Sequence, residues 1–126
     1  MAQTSQSKAM SKPKNFKLKS TDIQPLAEDL GSCFATDRIT VDGAKVGFMY
    51  REEPDFDDDS GWRFMAGDES QKYLDNPDNL SLYDVNTIAN YDPEIIPFLE
   101  APEGCQFERD AKTGEFIEVD DEEDEE

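Results

Sequence analysis

The apolar residues of this chain come in short runs that turn-forming residues interrupt, and this pattern limits the elements the chain can form. No purely apolar run is longer than a few residues. We therefore expect neither a membrane-spanning segment nor the apolar core of a signal peptide. A chain of 126 residues suits one compact domain. The sequence predicts a single cytoplasmic domain of short strands and helices.

Negative charge is spread through the body of the chain and is not confined to its ends. The chain has 31 Asp and Glu residues against 12 Lys and Arg, a formal net charge of −19. Residues 1–20 carry five lysines and no acid, and residues 120–126 are consecutive acids; we expect both to be disordered tails. Residues 21–119 still hold seven basic and 24 acidic side chains. We therefore assign 21–119 to one acidic domain, which should repel nucleic acid and anionic membranes.

The chain has no histidine and two cysteines, which removes several kinds of chemistry. Without imidazole there is no Ser-His-Asp or Cys-His catalysis and no zinc site with histidine ligands, and two thiolates cannot complete a four-cysteine site. We expect Cys33 and Cys105 to be buried free thiols, with a disulfide between them as the alternative. We expect no cofactor, no metal and no catalytic residue. A small enzyme or divalent-metal-binding protein that uses carboxylates is the alternative.

Several segments have the composition of strands. Residues 32–36 and 45–51 are rich in aromatic and β-branched residues, and the Asp42–Gly43 pair between them predicts a hairpin. Residues 61–65 alternate in polarity, which predicts a half-buried strand antiparallel to the one before it. Residues 106–119 predict a closing hairpin with a glycine in its turn.

Short helices are predicted between these strands. Asp68 is suited to cap the first helix, with Tyr73 and Leu74 facing inward. After a brief strand around residues 80–82, Asp84 begins the second helix. Asp92 caps the third, which has proline at its first position. Because the order of elements shows no βαβ alternation, we expect an α+β fold with a mainly antiparallel sheet.

The most unusual motif is the acidic stretch 51–62. An Asp-x-Asp-x-Asp run from Asp55 resembles the start of a calcium loop, but Ser60 and Ala66 stand where that loop needs glycine and glutamate. We interpret the stretch as a protein-binding surface, in which acids steer a basic partner and an aromatic side chain anchors it. The alternative is a solvated loop beside a tryptophan of the core. The predicted contact residues are Glu52, Glu53, Asp57, Asp58, Asp59 and Trp62.

Three blocks of the sequence carry a family resemblance: residues 46–54 (VGFMYREEP), 59–69 (DSGWRFMAGDE) and 83–93 (YDVNTIANYDP). They resemble the immunity protein 33-like family, a group of small bacterial domains, and the similarity covers about residues 30–119. The resemblance implies that the protein neutralises a toxin enzyme by binding it in the producing cell. Many such toxins are nucleases with basic surfaces, which an acidic protein would suit. A regulatory binding role without a toxin is the alternative.

Some residues of these blocks are better interpreted as structural than as functional. Arg51 and Arg63 lie among many acids, so we expect ion pairs with Asp59, Asp68 or Glu69. The glycines suit tight backbone geometry, and the polar residues at helix ends suit caps. The residues assigned to structural roles are Arg51, Gly61, Arg63, Gly67, Asp68 and Asp92.

Overall fold

The computed structural model describes residues 16–119, which form one six-stranded sheet with short helices. The predicted tail residues 1–15 and 120–126 lie outside this range. In chain order the elements are a 3-10 turn at Ser20–Asp22, β1 (Ser32–Thr36), α1 (Asp37–Thr40), β2 (Phe48–Arg51), β3 (Asp59–Met65), α2 (Gln71–Asp75), a 3-10 turn at Pro77–Asn79, β4 (Leu80–Asp84), α3 (Val85–Tyr91), a 3-10 helix at Pro93–Phe98, β5 (Gln106–Arg109) and β6 (Phe116–Glu118).

The strands lie in the order β4-β1-β3-β2-β5-β6. All pairs are antiparallel except β1 with β3, which is parallel. The α+β prediction is confirmed, and the mainly antiparallel sheet contains this one parallel pair. No helix within residues 16–119 is long and apolar enough to cross a membrane.

The predicted hairpin between residues 32–36 and 45–51 is wrong, because β3 lies between β1 and β2. The residues after β1 form α1, whose Ile39 and Thr40 are buried. Gly43 has φ 82° and donates its N–H to the carbonyl of Ile39. The Asp-Gly pair therefore ends a helical turn instead of closing a hairpin, and the chain crosses to the far side of β3.

The two other predicted pairings are confirmed. β2 pairs with β3 in antiparallel register, and β5 pairs with β6 across a turn that contains Gly114. Gly61 shows why the start of β3 needs glycine: its φ is 90°, and a Cβ there would overlap the carbonyl oxygen of Glu52. This close approach holds the start of β3 against Glu52, the residue that follows β2.

The predicted helix starts are mostly confirmed. α3 follows Asp84 and buries Val85 and Ile88, and Asp92 caps the next helix by accepting the N–H of Glu94. The exception is α2, which is capped by Ser70 instead of Asp68. Its Leu74 is exposed and not inward-facing, because α2 buries none of its residues.

The sheet has two unlike faces. On one face the side chains form the hydrophobic core with α1, α3 and the Pro93–Phe98 helix. Trp62 and Phe64 lie at its centre, with their rings stacked at 5.8 Å between centroids. The fully buried apolar residues contributed by the strands are Cys33, Ala35, Met49, Trp62 and Phe64. Both cysteines are buried and free, as predicted.

The N-terminal segment is attached to α3 by side-chain hydrogen bonds. The side-chain oxygen of Asn86 accepts the N–H groups of Leu26 at 2.8 Å and Ala27 at 2.7 Å. The hydroxyl of Tyr91 accepts the N–H of Leu18 at 3.1 Å. Residues 16–19, which the sequence analysis assigned to the basic tail, therefore contact the domain.

Candidate partner-binding site

Residues 52–58 connect β2 to β3, and we call them the acidic segment. Every residue in it is exposed, including Phe56. The segment continues into β3 through Asp59, whose side chain is inaccessible to solvent. The carboxylates that it displays to solvent are those of Glu52, Glu53, Asp55, Asp57 and Asp58.

A buried ion pair between Asp59 and Arg63 holds the segment to the sheet. Arg63 donates to both carboxylate oxygens of Asp59 at 2.9 Å. The carboxylate also accepts the N–H of Asp55 at 2.8 Å and that of Gly61 at 2.9 Å. These hydrogen bonds, that of Arg63 first, hold the pKa of Asp59 well below its ordinary value despite its burial. Asp59 is therefore charged at neutral pH and fixes both ends of the turn.

Arg63 gathers further carboxylates at the same place. It donates to Glu52 at 2.7 Å and lies 3.6 Å from an oxygen of Asp55, and its guanidinium stacks over the ring of Phe34 at 4.8 Å. The aspartates of the calcium-like run therefore do not converge on a cation position, because two of them face Arg63. Among the described residues, no group of three or more His, Cys, Asp or Glu side chains could hold a metal ion.

The predicted contact residues divide into two groups. Glu52, Glu53, Asp57 and Asp58 are exposed on the acidic segment. Trp62 is only 1% exposed, and its indole N–H donates to the carbonyl of Leu99 at 3.1 Å. Asp59 is also buried. Trp62 and Asp59 are therefore inaccessible to a partner in this structure. Trp62 lies in the core, which was the alternative interpretation of this residue.

The residues assigned to structural roles make the following contacts. Arg51 donates to the carbonyls of Ser60 at 2.8 Å and Ala101 at 2.7 Å instead of to a carboxylate.

The other structural residues make contacts elsewhere in the domain. Asp68 accepts from Arg38 at 2.6 Å. The backbone N–H of Gly67 donates to the carboxylate of Glu69. Buried Asp92 accepts from Arg109 at 2.5 Å and from the N–H of Val46.

The second face of the sheet lies beside the acidic segment, and we call it the open face. The strand registers place Leu82, Phe34, Arg63 and Tyr50 side by side across four strands. Arg63 is buried by its carboxylate partners, but its three neighbours are partly or fully exposed. We did not predict this face from the sequence, although the Phe-Met-Tyr run at 48–50 gave a signal, because it is apolar on both faces of its strand.

The fold and the site define an acidic α+β domain whose exposed carboxylates border an open sheet face. Residues 33–120 match the Immunity protein Imm33 domain, which is more than two thirds of the chain. The chain therefore belongs to the Imm33 immunity protein domain family, as the resemblance of its three sequence blocks implied. No curated protein and no solved structure matches it significantly.

Proposed function

We propose that this protein is an immunity protein that neutralises a toxin enzyme by direct binding in the cytoplasm of the producing cell, without catalysis of its own. Membership of the Imm33 family supports the immunity role. The acidic segment supports the mode of binding, because it displays five carboxylates on seven consecutive exposed residues. A basic toxin surface would be attracted to this segment before contact.

The acids that are free of ion pairs are the ones expected to steer the partner. Glu52 and Asp55 are partly neutralised by Arg63. Glu53 and Asp57 form no salt bridge with any described residue. Their negative potential therefore extends into solvent. Exposed charges of this kind change the association rate more than the dissociation rate.

The test uses the full chain and a candidate toxin domain sought among the genes that neighbour its own. Co-expression of the chain should rescue growth of a bacterial host that produces the toxin, and association kinetics should slow steeply as salt rises. The double substitution Glu53→Gln with Asp57→Asn should lower the association rate by about threefold to tenfold at low salt. Its control is Glu115→Gln in the β5–β6 turn, an exposed acid at the opposite end of the sheet.

Three results would count against this proposal. Absence of a complex, or of rescue, would contradict the immunity role and favour a regulatory function. A rate that does not change with salt would contradict steering by charge. An equal effect of the Glu115 control would mean that the overall charge of the domain acts, and not the acidic segment.

A further inference from the structure

The open face is more apolar than a solvated sheet surface normally is. An antiparallel sheet with one wet face usually alternates apolar residues inward and polar residues outward. Here Leu82 is 50% exposed on the edge strand β4 and Ile117 is 52% exposed on the edge strand β6. Between them lie the rings of Phe48 and Tyr50, 5.7 Å apart. Several large apolar side chains on one solvent-facing surface, rimmed by charged residues, are a candidate interaction site.

The register of the strands shows which residues lie side by side on the open face. Leu82 pairs with Phe34, Phe34 with Arg63, and Arg63 with Tyr50. Phe48 pairs with Glu108 on β5, and Glu108 with Ile117 on β6. Residues at paired positions of a sheet point to the same side. Apolar side chains therefore occur from one edge of the sheet to the other, interrupted by Arg63 on β3 and by Glu108 on β5.

The charges around the open face decide what can cover it. Arg63 is its central cation, and it is already surrounded by Asp59, Glu52 and Asp55. The side chains of Glu52 and Asp55 are still 47% and 70% exposed, so they can accept further hydrogen bonds from a basic group. A second copy of this chain would bring its own acidic segment to the same border, where like charges repel.

We propose that the open face is the docking surface for the toxin, and that the toxin meets it with apolar side chains bordered by lysine or arginine. This inference rests on the proposed function and specifies its surface. The apolar side chains supply the contacts that set the dissociation rate. The acidic segment supplies the charge that sets the association rate.

The area of the open face is consistent with a toxin that contacts both this face and the acidic segment. Six strands spaced by about 4.8 Å span about 24 Å from the first strand to the last. With strands about 15 Å long the face offers about 360 Å², whereas a stable interface buries about 800 Å² on each partner. The toxin must therefore also contact the acidic segment beside the face.

The experiment compares two leucine substitutions in the full chain, each measured in complex with the toxin domain that the binding test above identifies. Leu82→Ala should raise the dissociation rate by about tenfold or more, at low and at high salt alike. The matched control is Leu26→Ala, because Leu26 is 44% exposed but lies against α3 on the other side of the sheet. It should change the rate by less than about twofold.

Hydroxyl-radical footprinting of the same complex gives a second measurement that needs no substitution. Tyr50, Leu82 and Ile117 should be protected when the toxin binds, and Leu26 should not. If the toxin binds but these side chains stay reactive, or if the two leucine variants dissociate equally fast, the docking surface is wrong while the immunity function stands. If no complex forms, the proposed function fails and this inference fails with it.

Discussion

The two faces of the sheet place neighbouring residues of the same strand in different surroundings, one covered by helices and one open. On β3, Trp62 and Phe64 point into the core, whereas Arg63 between them points to the open face and binds Asp59. Helices cover the first face, and the acidic segment borders the second. The difference teaches that a single residue step along a strand separates a side chain packed under helices from one that reaches the open face, which we propose as the docking surface. Substitutions on the two faces should therefore have distinct effects.

The largest expected effect is at the centre of the covered face. Trp62→Ala should lower the free energy of unfolding by about 4 kcal/mol, because it leaves a cavity and removes the contact of the indole with Phe64. Urea unfolding followed by circular dichroism would measure the loss. A loss below about 1 kcal/mol would mean that this face is not the core.

The next effect concerns the one buried charge pair on the open face. Asp59→Asn should cost about 3 kcal/mol, since buried Arg63 loses its one buried carboxylate partner and keeps only the more exposed Glu52 and Asp55. Asp57→Asn is the matched control on the same segment and should change the stability by less than about 0.5 kcal/mol. Equal stability of the two variants would show that the pair does not hold the segment to the sheet.

The same pair should make the stability depend on pH in acid. Because Arg63 lowers the pKa of Asp59 in the folded state, the pair stabilises the protein above the ordinary carboxyl pKa, and this contribution is lost as the pH falls below about 5. Urea unfolding at several pH values would show a shallower acid slope for Asp59→Asn than for the native chain. A slope that the substitution leaves unchanged would contradict the buried pair.

The smallest expected effect is at the edge of the open face. Leu82→Ala should change the free energy of unfolding by less than about 0.5 kcal/mol, because half of this side chain is already in solvent. Thermal and urea unfolding would measure it. A loss above about 2 kcal/mol would mean that Leu82 packs as part of a core, and the separation between the two faces would then fail.

Local signals in the sequence were enough for most of the elements. The strand at residues 32–36 has the predicted bounds, and α3 follows Asp84 with the predicted residues buried. The signals that predicted these elements are local: β-forming composition in one case, and the spacing of apolar residues after Asp84 in the other. The sequence also predicted an ion pair for Arg63, with Asp59, Asp68 or Glu69 as its partner, and the structure shows that the partner is Asp59.

Long-range pairing could not be predicted in the same way. The Asp-Gly pair at 42–43 looked like a hairpin turn because the sequence does not reveal that Ile39 is buried and keeps the preceding residues helical. The start of α2 was misplaced because Asp68 binds Arg38 and leaves the cap to Ser70. In each case a contact distant in sequence or a competing partner determined the result.

The sequence by itself determined the negative charge of the domain, the absence of imidazole chemistry and the alternation that puts Trp62 and Arg63 on opposite sides of β3. Only the tertiary structure decided which side the helices cover, and so which residues are core and which are surface. The physical reason is that alternation defines the two faces of each strand, whereas the order of the strands and the position of the helices depend on contacts between residues distant in sequence. The path of the chain between strands decides which face is buried.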